Sequence, residues 1–554
     1  MEPKAIFNYC KSLGCCDACC LRYIGIKSSS AYEKASDFVT KYQVDSNTSS
    51  SSNKNDESST EVKDVDHSNN PTENVNIIIN DKNNDSLSNN DKEERDKTNG
   101  LSSPPHKRRK LDICGSCLGI LQEDGWQEAY DMVKEVLVKK GYECKTFACA
   151  LSAPICTILR ERAITLRLTD QYPDYDLRNV TTLKEAWKYS FGIKLATHID
   201  KTLDSGAVSP LLITVNMDYD DDLQELEILK RMSPQFFEER RSYKRRFNNE
   251  FTRRSVEQAL EKATLSSLMS AGGGLPAVSA HAHCISVTCV HAPMYLGGRY
   301  VKLSRKLPQS PWILEGKRVV PSSVQEIIYG PIAGIYKFDP EEADARLKFI
   351  AAGREDVDVR CLGDGRPFAI EITDPVRELT AEELSQVCEK INKSEDVIVK
   401  KIVPITKEDL TQLKKGEETK SKTYEALCIK LSHSEYDEVS SNSPIQVTPK
   451  DIEVINSYTQ KYNLVKQKTP IRVLHRRPLL TRTKEILELK GETVADNPQL
   501  FRIFVHTSAG TYVKEWVHGE FGRTVPSLGS VLLAKVDLLA LDVTAVHLDW
   551  PPEK

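Results

Sequence analysis

Residues 353–360 read GREDVDVR, inside a longer run, FIAAGREDVDVRCLGDGRPFAIEI, in which apolar and charged residues alternate. This period of two predicts a β-strand, and the Gly- and Pro-containing LGDGRP that follows predicts a turn into a second strand, AIEI. On such a strand Asp356 and Asp358 would share one face with Arg354 and Arg360. A nearby cation lowers the pKa of a carboxyl group, so an aspartate here would stay ionised and could act as nucleophile or base. The alternative is a solvated strand face with cross-strand ion pairs.

The composition is that of a soluble protein of several domains. The chain has 554 residues, which predicts about three domains. Its formal net charge of −4 argues against a uniformly basic nucleic-acid coat. No apolar run approaches the roughly 20 residues that span a bilayer, and the N-terminus lacks the apolar core of a signal peptide. We therefore expect an intracellular protein without a membrane partner, whose 15 cysteines are thiols or metal ligands.

Residues 46–105 differ sharply from the rest of the chain. They are rich in Ser, Asn, Asp, Lys and Glu and contain almost no large apolar residue. Such a segment buries too little surface to offset its ordering entropy, so we predict a disordered insert. It is followed by the basic run HKRRK at 106–110, which is typical of a nuclear-import signal or a phosphate contact. An ordinary basic linker is the alternative, and we expect the protein in the nucleus and the cytoplasm.

Beyond the insert, the pattern of helices and strands predicts two further domains. Between residues 121 and 275 we predict helices at 121–146, 182–191 and 195–203, and strands at 163–168 and 210–215. This order fits a mixed α/β domain. Its basic stretch 237–254 carries seven cations and four aromatic residues, which favours RNA or DNA contact over a solvated helix face. Strand patterns, among them 284–290 and 324–332, dominate residues 281–554 and predict one α+β domain around Asp356.

Two C-x₂-C pairs occur in the N-terminal part, and their members are Cys16, Cys19, Cys114 and Cys117. Four thiolates at tetrahedral reach are the usual structural Zn²⁺ ligand set. The gap between the pairs is longer than in a zinc ribbon, but lengthening a flexible loop costs only about 0.6 kcal/mol per doubling. We therefore expect a zinc knuckle formed by residues 1–45 and 106–125. The nearby Cys15 or Cys20 could replace one ligand, and a Cys-rich helix without metal is the other alternative.

Seven strings together identify a family: CDACCLRY, CGSCLG, GGRYVKLSR, AAGREDVDVR, RPFAIEI, KTPIRVLHRR and SAGTYVKEWVHGEFGRTVPSLG. In this combination the chain, apart from its insert, closely resembles the archaeal and eukaryotic tRNA pseudouridine synthase family numbered ten. Members make pseudouridine in the TΨC arm of tRNA, at position 55 and often 54. The resemblance implies a catalytic domain on a mixed, largely antiparallel sheet. It also implies an α/β accessory domain with a zinc knuckle and a THUMP-type RNA-binding module.

The resemblance also implies roles for individual residues. Asp356, the D of GRED, would be the catalytic aspartate, and Asp358 would be a second acidic residue with a structural role. Tyr424, in KTYEALC, would pack on the target base. The segment GTYVKE would supply a second base-side tyrosine and a lysine near the aspartate, which are Tyr512 and Lys514. A loop arginine would reach the RNA, and the resemblance leaves open whether it is Arg299 or Arg305.

The implied reaction breaks a C–N glycosidic bond, turns the base and forms a C–C bond without net redox change. We therefore expect a tRNA partner, no nucleotide cofactor and no cofactor for catalysis, with Zn²⁺ in a structural role. A methyltransferase would need a Gly-rich nucleotide loop after a strand, and a sulfur-inserting enzyme a Ser-Gly-Gly-x-Asp-Ser loop; the sequence contains neither. A non-catalytic RNA-binding protein is the other rival, but the chain retains the aspartate, both tyrosines and the lysine.

Overall fold

The computed structural model describes residues 2–42, 112–204, 209–242, 249–272, 274, 277–278, 280–438, 440 and 442–552. The predicted insert at 46–105 and the basic run at 106–110 lie outside these residues, as do positions 243–248 of the basic stretch. Within the described part, no helix combines the length and the apolarity that crossing a lipid bilayer requires.

The N-terminal part packs helices around a small sheet. The described elements are α1 (Pro3–Ser12), α2 (Asp17–Ile24), α3 (Ser29–Glu33), α4 (Ala35–Phe38), α5 (Gln127–Lys140), β1 (Thr146–Ser152), α6 (Cys156–Gln171), α7 (Leu183–Trp187), α8 (Ile193–Ile199), β2 (Thr202–Leu203), β3 (Leu211–Asp218), α9 (Asp222–Leu226), α10 (Ile228–Met232), α11 (Pro234–Ser242), α12 (Arg253–Glu261), α13 (Leu265–Gly272) and β4 (His283–His291). The strand order is β2-β1-β3-β4. Strand β1 runs parallel to β2 and β3, and β4 runs antiparallel to β3.

Three sequence predictions for this part need correction. The strand predicted at 163–168 is wrong, because these residues lie in α6, where buried Leu159, Ala163 and Leu166 recur at helical spacing. The helix predicted at 195–203 ends at Ile199, and an edge strand follows. The strand predicted at 284–290 exists as β4, but it pairs with β3. The first sheet therefore extends past residue 281, where we had placed the start of the C-terminal domain.

The C-terminal part is built on one large sheet. Its described elements are β5 (Met294–Lys302), β6 (Ile313–Leu314), β7 (Lys317–Arg318), α14 (Val324–Tyr336), α15 (Pro340–Arg346), β8 (Leu347–Ala351), β9 (Arg360–Ile372), α16 (Ala381–Ile391), β10 (Val397–Ile405), α17 (Lys407–Thr419), β11 (Lys422–Lys430), α18 (Pro449–Asn456), α19 (Tyr458–Lys461), β12 (Leu464–Lys468), β13 (Thr481–Thr493), β14 (Leu500–Thr507), α20 (Val513–His518), β15 (Thr524–Val525), α21 (Leu528–Val531) and β16 (Val536–Val546).

The large sheet has ten strands in the order β10-β5-β9-β16-β11-β14-β13-β12-β15, with β8 paired to β9. Among its described pairs, β9 with β16 is parallel and the others are antiparallel. The predicted α+β class with a largely antiparallel sheet is therefore confirmed. The strand predicted at 324–332 is wrong, because Val324, Ile328 and Ile332 are buried at four-residue intervals on one side of α14.

Candidate active site

Residues 352–359 form a loop between β8 and β9, so the strand predicted for GREDVDVR is wrong. Gly353 has a φ of +84°, and a Cβ there would lie 3.2 Å from Arg366 Nη1. The amide of Val359 donates to the carbonyl oxygen of Asp356 at 3.1 Å, which closes a turn. The glycines at 363 and 365 lie inside β9 and not in a turn after it. The alternation did not mark a strand here; in this loop the Glu355 side chain is buried and that of neighbouring Asp356 is partly exposed.

Buried side chains fix the conformation of this loop. Glu355 is fully buried, and it accepts from Arg366 Nε at 2.6 Å and from Tyr300 Oη at 2.9 Å. Lys302 is also buried, which lowers its pKa. Its Nζ donates to the carbonyl oxygens of Asp356 and Val357 at 3.2 and 2.9 Å. The backbone around Asp356 is thus fixed, and the carboxylate of Glu355 is committed to an internal ion pair.

Asp356 lies at the meeting point of two cations from other parts of the chain. Arg472 Nη1 is 2.9 Å from Asp356 Oδ2 and 3.1 Å from Oδ1. Lys514 Nζ is 3.5 Å from Oδ2. Arg360, which we expected beside Asp356, instead binds Asp542 at 2.5 and 2.9 Å. Two cations thus face one partly exposed carboxylate, a group that can act as a nucleophile or a base.

Helix α20 carries Lys514 and also Glu515, the residue that orients Arg472. Glu515 is buried and accepts from Arg472 Nε at 2.6 Å and from Nη2 at 3.4 Å. Arg472 therefore binds Glu515 with one edge of its guanidinium and Asp356 with the other. The helix start is fixed by buried Gln467, which exchanges two hydrogen bonds of 3.0 Å with the backbone of Tyr512.

Asp358 is placed as the predicted second acidic residue, on the same turn as Asp356. Its carboxylate accepts from Lys514 Nζ at 2.7 and 2.9 Å. Partial burial alone would raise the pKa of Asp358, but the hydrogen bond and charge of Lys514 outweigh it and lower that pKa. Asp358 thereby holds Lys514 beside Asp356.

Asp356 opens into a large cationic cleft of about 1080 Å³. Among the described residues that line it, two carry carboxylates, Glu355 and Asp356, and eleven are cationic: Arg354, Arg366, Lys414, Lys420, Lys422, Arg472, Arg476, Arg477, Arg482, Lys484 and Lys514. Tyr424 and Tyr512 also line the cleft. Burial, with the neighbouring Asp356 as a lesser cause, raises the pKa of Tyr424 to about 12, so its hydroxyl stays protonated. The cleft suits a polyanion with an unpaired aromatic base.

The two candidate arginines differ in what they touch, and neither lines the cleft. Arg299 lies on β5, not in a loop, and donates to the backbone carbonyls of Gly365 and Val546, both at 2.9 Å. Arg305 lies in the loop after β5, pairs with Asp542 at 2.6 Å and donates to the carbonyl of Asp358 at 3.0 Å. Arg299 therefore links strands of the sheet through their backbone carbonyls. Arg305 instead stabilises the turn that carries Asp356 and Asp358.

The four cysteines predicted to bind zinc lie close together in the structure. In sequence they are far from the residues that line the cleft. The sulfur atoms of Cys16, Cys19, Cys114 and Cys117 all lie within 4.8 Å of one another, and three of these residues are buried. Cys16 Sγ is 3.8 Å from Cys117 Sγ. Four Zn–S bonds of about 2.3 Å in a tetrahedron require sulfur separations of about 3.8 Å. The set therefore fits a metal ion such as zinc, and among the described residues Cys15 and Cys20 are not part of it.

Arg472 and Glu515 are the site residues that our sequence reasoning missed. Both lie inside strings that carried the family resemblance, KTPIRVLHRR and GTYVKEWVHGEF. A basic residue at 472 has no spacing relation to residue 356, because the two are 116 positions apart. Only the folded sheet brings them together.

Comparison with known proteins agrees with the motifs. A family model described as "Pus10, C-terminal" matches residues 295–547, and one described as "Eukaryotic Pus10, N-terminal" matches residues 114–288. The Homo sapiens protein named tRNA pseudouridine synthase Pus10 is 34% identical over 460 residues, which cover 82% of this chain and 81% of that protein.

More distant similarities extend the comparison. A Methanocaldococcus jannaschii protein of the same name is 35% identical over 269 residues, which cover 46% of this chain and 53% of that protein. Among solved structures, a Cbf5-Nop10-Gar1 complex aligns with a TM-score of 0.24 and 15% identity, over 45% of this chain and 48% of the matched chain. The two family matches together span most of the chain, so the predicted resemblance is confirmed and the chain belongs to the Pus10 family of pseudouridine synthases.

Proposed function

We propose that this protein converts uridine to pseudouridine in tRNA, in the TΨC arm, at position 55 and also at 54, with Asp356 as the catalytic carboxylate. The relatives named tRNA pseudouridine synthase support the substrate class. One observation carries the choice of Asp356. Of the two carboxylates among the described lining residues, Glu355 is consumed by a buried ion pair, and Asp356 faces the cleft between Arg472 and Lys514.

The cleft accounts for substrate binding. Its cations neutralise the phosphates around the target nucleotide, which anchors the RNA without reading its sequence. The uridine leaves its stack at a cost of a few kcal/mol. The ring of Tyr424 on the cleft wall offsets part of this cost, because stacking on an aromatic ring is worth about 1–3 kcal/mol per base.

The chemistry needs one ionised carboxylate beside the ribose and base. The bond between C1′ and N1 of the uridine breaks, the uracil turns, and a bond between C1′ and C5 forms. C5 loses a proton and N1 gains one, so the product is an isomer of the substrate. The Asp356 carboxylate attacks the nucleoside or assists departure of the uracil. On either route Arg472 and Lys514 place two positive charges beside the reacting carboxylate.

The accessory region belongs to the same proposal. Residues 121–275 would act as a THUMP-type RNA-binding module, and Zn²⁺ held by the four cysteines would stabilise the join between residues 2–42 and the segment after 112. The basic run 106–110 supports residence in the nucleus as well as the cytoplasm.

The test is incubation of the purified protein with unmodified tRNA transcript, followed by carbodiimide-stop primer extension. We expect stops at position 55 and at 54. A transcript with cytidine at 55 should keep only the stop at 54, and the reverse substitution should keep only the stop at 55. Stops outside the TΨC arm, or none with a protein that binds the transcript, would contradict the proposal.

A further inference from the structure

A left-handed turn follows helix α20 on the C-terminal domain. Four consecutive residues have positive φ: Gly519 at 80°, Glu520 at 42°, Phe521 at 56° and Gly522 at 76°. Glycine adopts this region freely, but a residue with a side chain is strained there. Two neighbouring strained residues persist only where the surrounding structure holds them, and such positions concentrate at functional sites.

Buried hydrogen bonds hold the turn against the segment that carries Arg472. Glu520 is buried, and its Oε1 accepts from the amide of Ile471 at 2.9 Å. Arg523 Nη2 donates to the carbonyl of Thr469 at 2.5 Å, and the amide of Lys468 donates to the carbonyl of Arg523 at 3.0 Å. The turn is therefore fixed to the backbone that positions Arg472 on Asp356.

In this arrangement the aromatic ring of Phe521 is exposed to solvent. Phe521 is 96% exposed, more than any other large apolar side chain among the described residues. Burying such a ring is favourable, so its exposure on a rigid, strained turn does nothing for the fold. The ring is placed for a contact with another molecule.

The charges near the turn indicate what that molecule is. The exposed face of β12, which is bonded to the turn, carries Lys466 and Lys468. The segment beyond Arg472 adds the exposed Arg476 and Arg477, which line the cleft. Cations around an exposed aromatic ring are the combination that binds single-stranded nucleic acid, where phosphates meet the charges and a base meets the ring.

We propose that Phe521, outside the cleft, stacks on an unpaired base of the same RNA whose uridine enters the cleft. This inference rests on the proposed function, because it assumes an RNA substrate. It makes Phe521 a positioning residue: the ring fixes the register of the RNA at a second point, on the backbone that also carries Arg472.

The test measures affinity for the unmodified tRNA transcript by fluorescence anisotropy. The variants are Phe521→Ala, Phe521→Leu and Phe521→Trp, with Leu223→Ala as a matched control. Leu223 is 61% exposed and stands next to Asp220, Asp221 and Asp222, where phosphates are repelled. We expect Kd to rise by about 5- to 150-fold for the alanine and leucine variants. Phe521→Trp and Leu223→Ala should stay close to wild type, and tryptophan emission of Phe521→Trp should be quenched by RNA.

Two further readouts separate stacking from other roles. The slope of log Kd against log salt should be unchanged in Phe521→Ala, because no phosphate contact is lost. Phe521→Gly should fold at least as stably as the alanine variant, since glycine relieves the left-handed strain, yet bind RNA as weakly. Unchanged affinity in Phe521→Ala, full affinity in Phe521→Leu, or loss of self-association in Phe521→Ala by sedimentation would each overturn the proposal.

The same preparations distinguish this inference from the proposed function. Pseudouridine formation by wild type together with wild-type affinity in Phe521→Ala would overturn only the role of Phe521. Phe521-dependent RNA binding without pseudouridine would contradict only the reaction.

Discussion

Arg472 and Asp356 form a two-point contact, with Nη1 of the arginine 2.9 and 3.1 Å from the two carboxylate oxygens. The far edge of the same guanidinium is held by buried Glu515 at 2.6 Å. The arginine is therefore oriented before any substrate arrives. Because Lys514 adds a second cation that Asp358 holds in place, the direction of the Asp356 carboxylate is set in the free protein.

The first prediction concerns Glu515, which is buried and does not line the cleft. Glu515→Gln keeps the shape of the side chain but weakens its hold on Arg472, so Asp356 loses its orientation. Because a small misplacement of a reacting group costs about 10²-fold in rate, we expect kcat to fall by about that factor with little change in KM. Single-turnover kinetics on a tRNA transcript measure it. An unchanged kcat would show that the arginine needs no such support.

The second prediction concerns Tyr424. Since burial raises its pKa to about 12, the neutral ring and not a phenolate is present at any working pH. Tyr424→Phe should keep kcat within a few-fold, whereas Tyr424→Ala should lower kcat/KM by about 5- to 150-fold through lost stacking. A severe loss in Tyr424→Phe would mean that the hydroxyl takes part in the reaction.

The third prediction concerns stability against pH. Asp451 is buried and accepts from Lys430 Nζ at 2.7 Å. Burial raises the pKa of Asp451, but the bond from Lys430 and further hydrogen bonds outweigh it, so the folded-state pKa is lowered. Its stabilising contribution is therefore complete above the unfolded-state pKa of about 3.9 and is lost as pH falls through the lower folded value.

Removing this carboxylate should expose that dependence. Asp451→Asn should lower the free energy of unfolding by about 3 kcal/mol at pH 7, because it breaks a buried ion pair. The difference from wild type should shrink below about pH 4. Urea unfolding from pH 3 to pH 7 measures it, and a difference that stays constant across this range would contradict the assignment.

The fourth prediction concerns the cysteine cluster. Cys117→Ser should lose the bound zinc and lower the Tm of the N-terminal part, because metal binding and folding are coupled at such sites. Cys144→Ser, at a half-buried cysteine outside the set, should retain both. Elemental analysis and calorimetry give the two readouts. Equal metal content in the two variants would exclude the four-cysteine site.

Sequence patterns predicted part of this structure and missed the rest for identifiable reasons. The four-cysteine set follows from C-x₂-C spacing, because each pair is local, and the structure brings the two pairs together. Helix and strand were confused at 163–168 and 324–332, where runs of apolar residues satisfy both periods over a short window.

The ion-pair partners of Asp356 could not be predicted from the local sequence pattern. Its partners come from positions 472 and 514, which lie in a helical turn and on a helix, and such long-range contacts cannot be read from spacing along one strand. The local pattern suggested Arg354 and Arg360 instead, and Arg360 turns to Asp542 on the neighbouring β16. Motif resemblance located Lys514, since it stands in GTYVKE, but it left the loop arginine open between Arg299 and Arg305, and Arg299 lies on β5.

The central claim is that Asp356 carries the reaction and Asp358 only supports it. The most direct measurement compares Asp356→Asn with Asp358→Asn in single-turnover pseudouridine formation on tRNA, with RNA affinity measured on the same samples. We predict that Asp356→Asn binds RNA within a few-fold of wild type and forms no pseudouridine, while Asp358→Asn remains active at a reduced rate. Product formation by Asp356→Asn, or its complete loss in Asp358→Asn alone, would contradict the account.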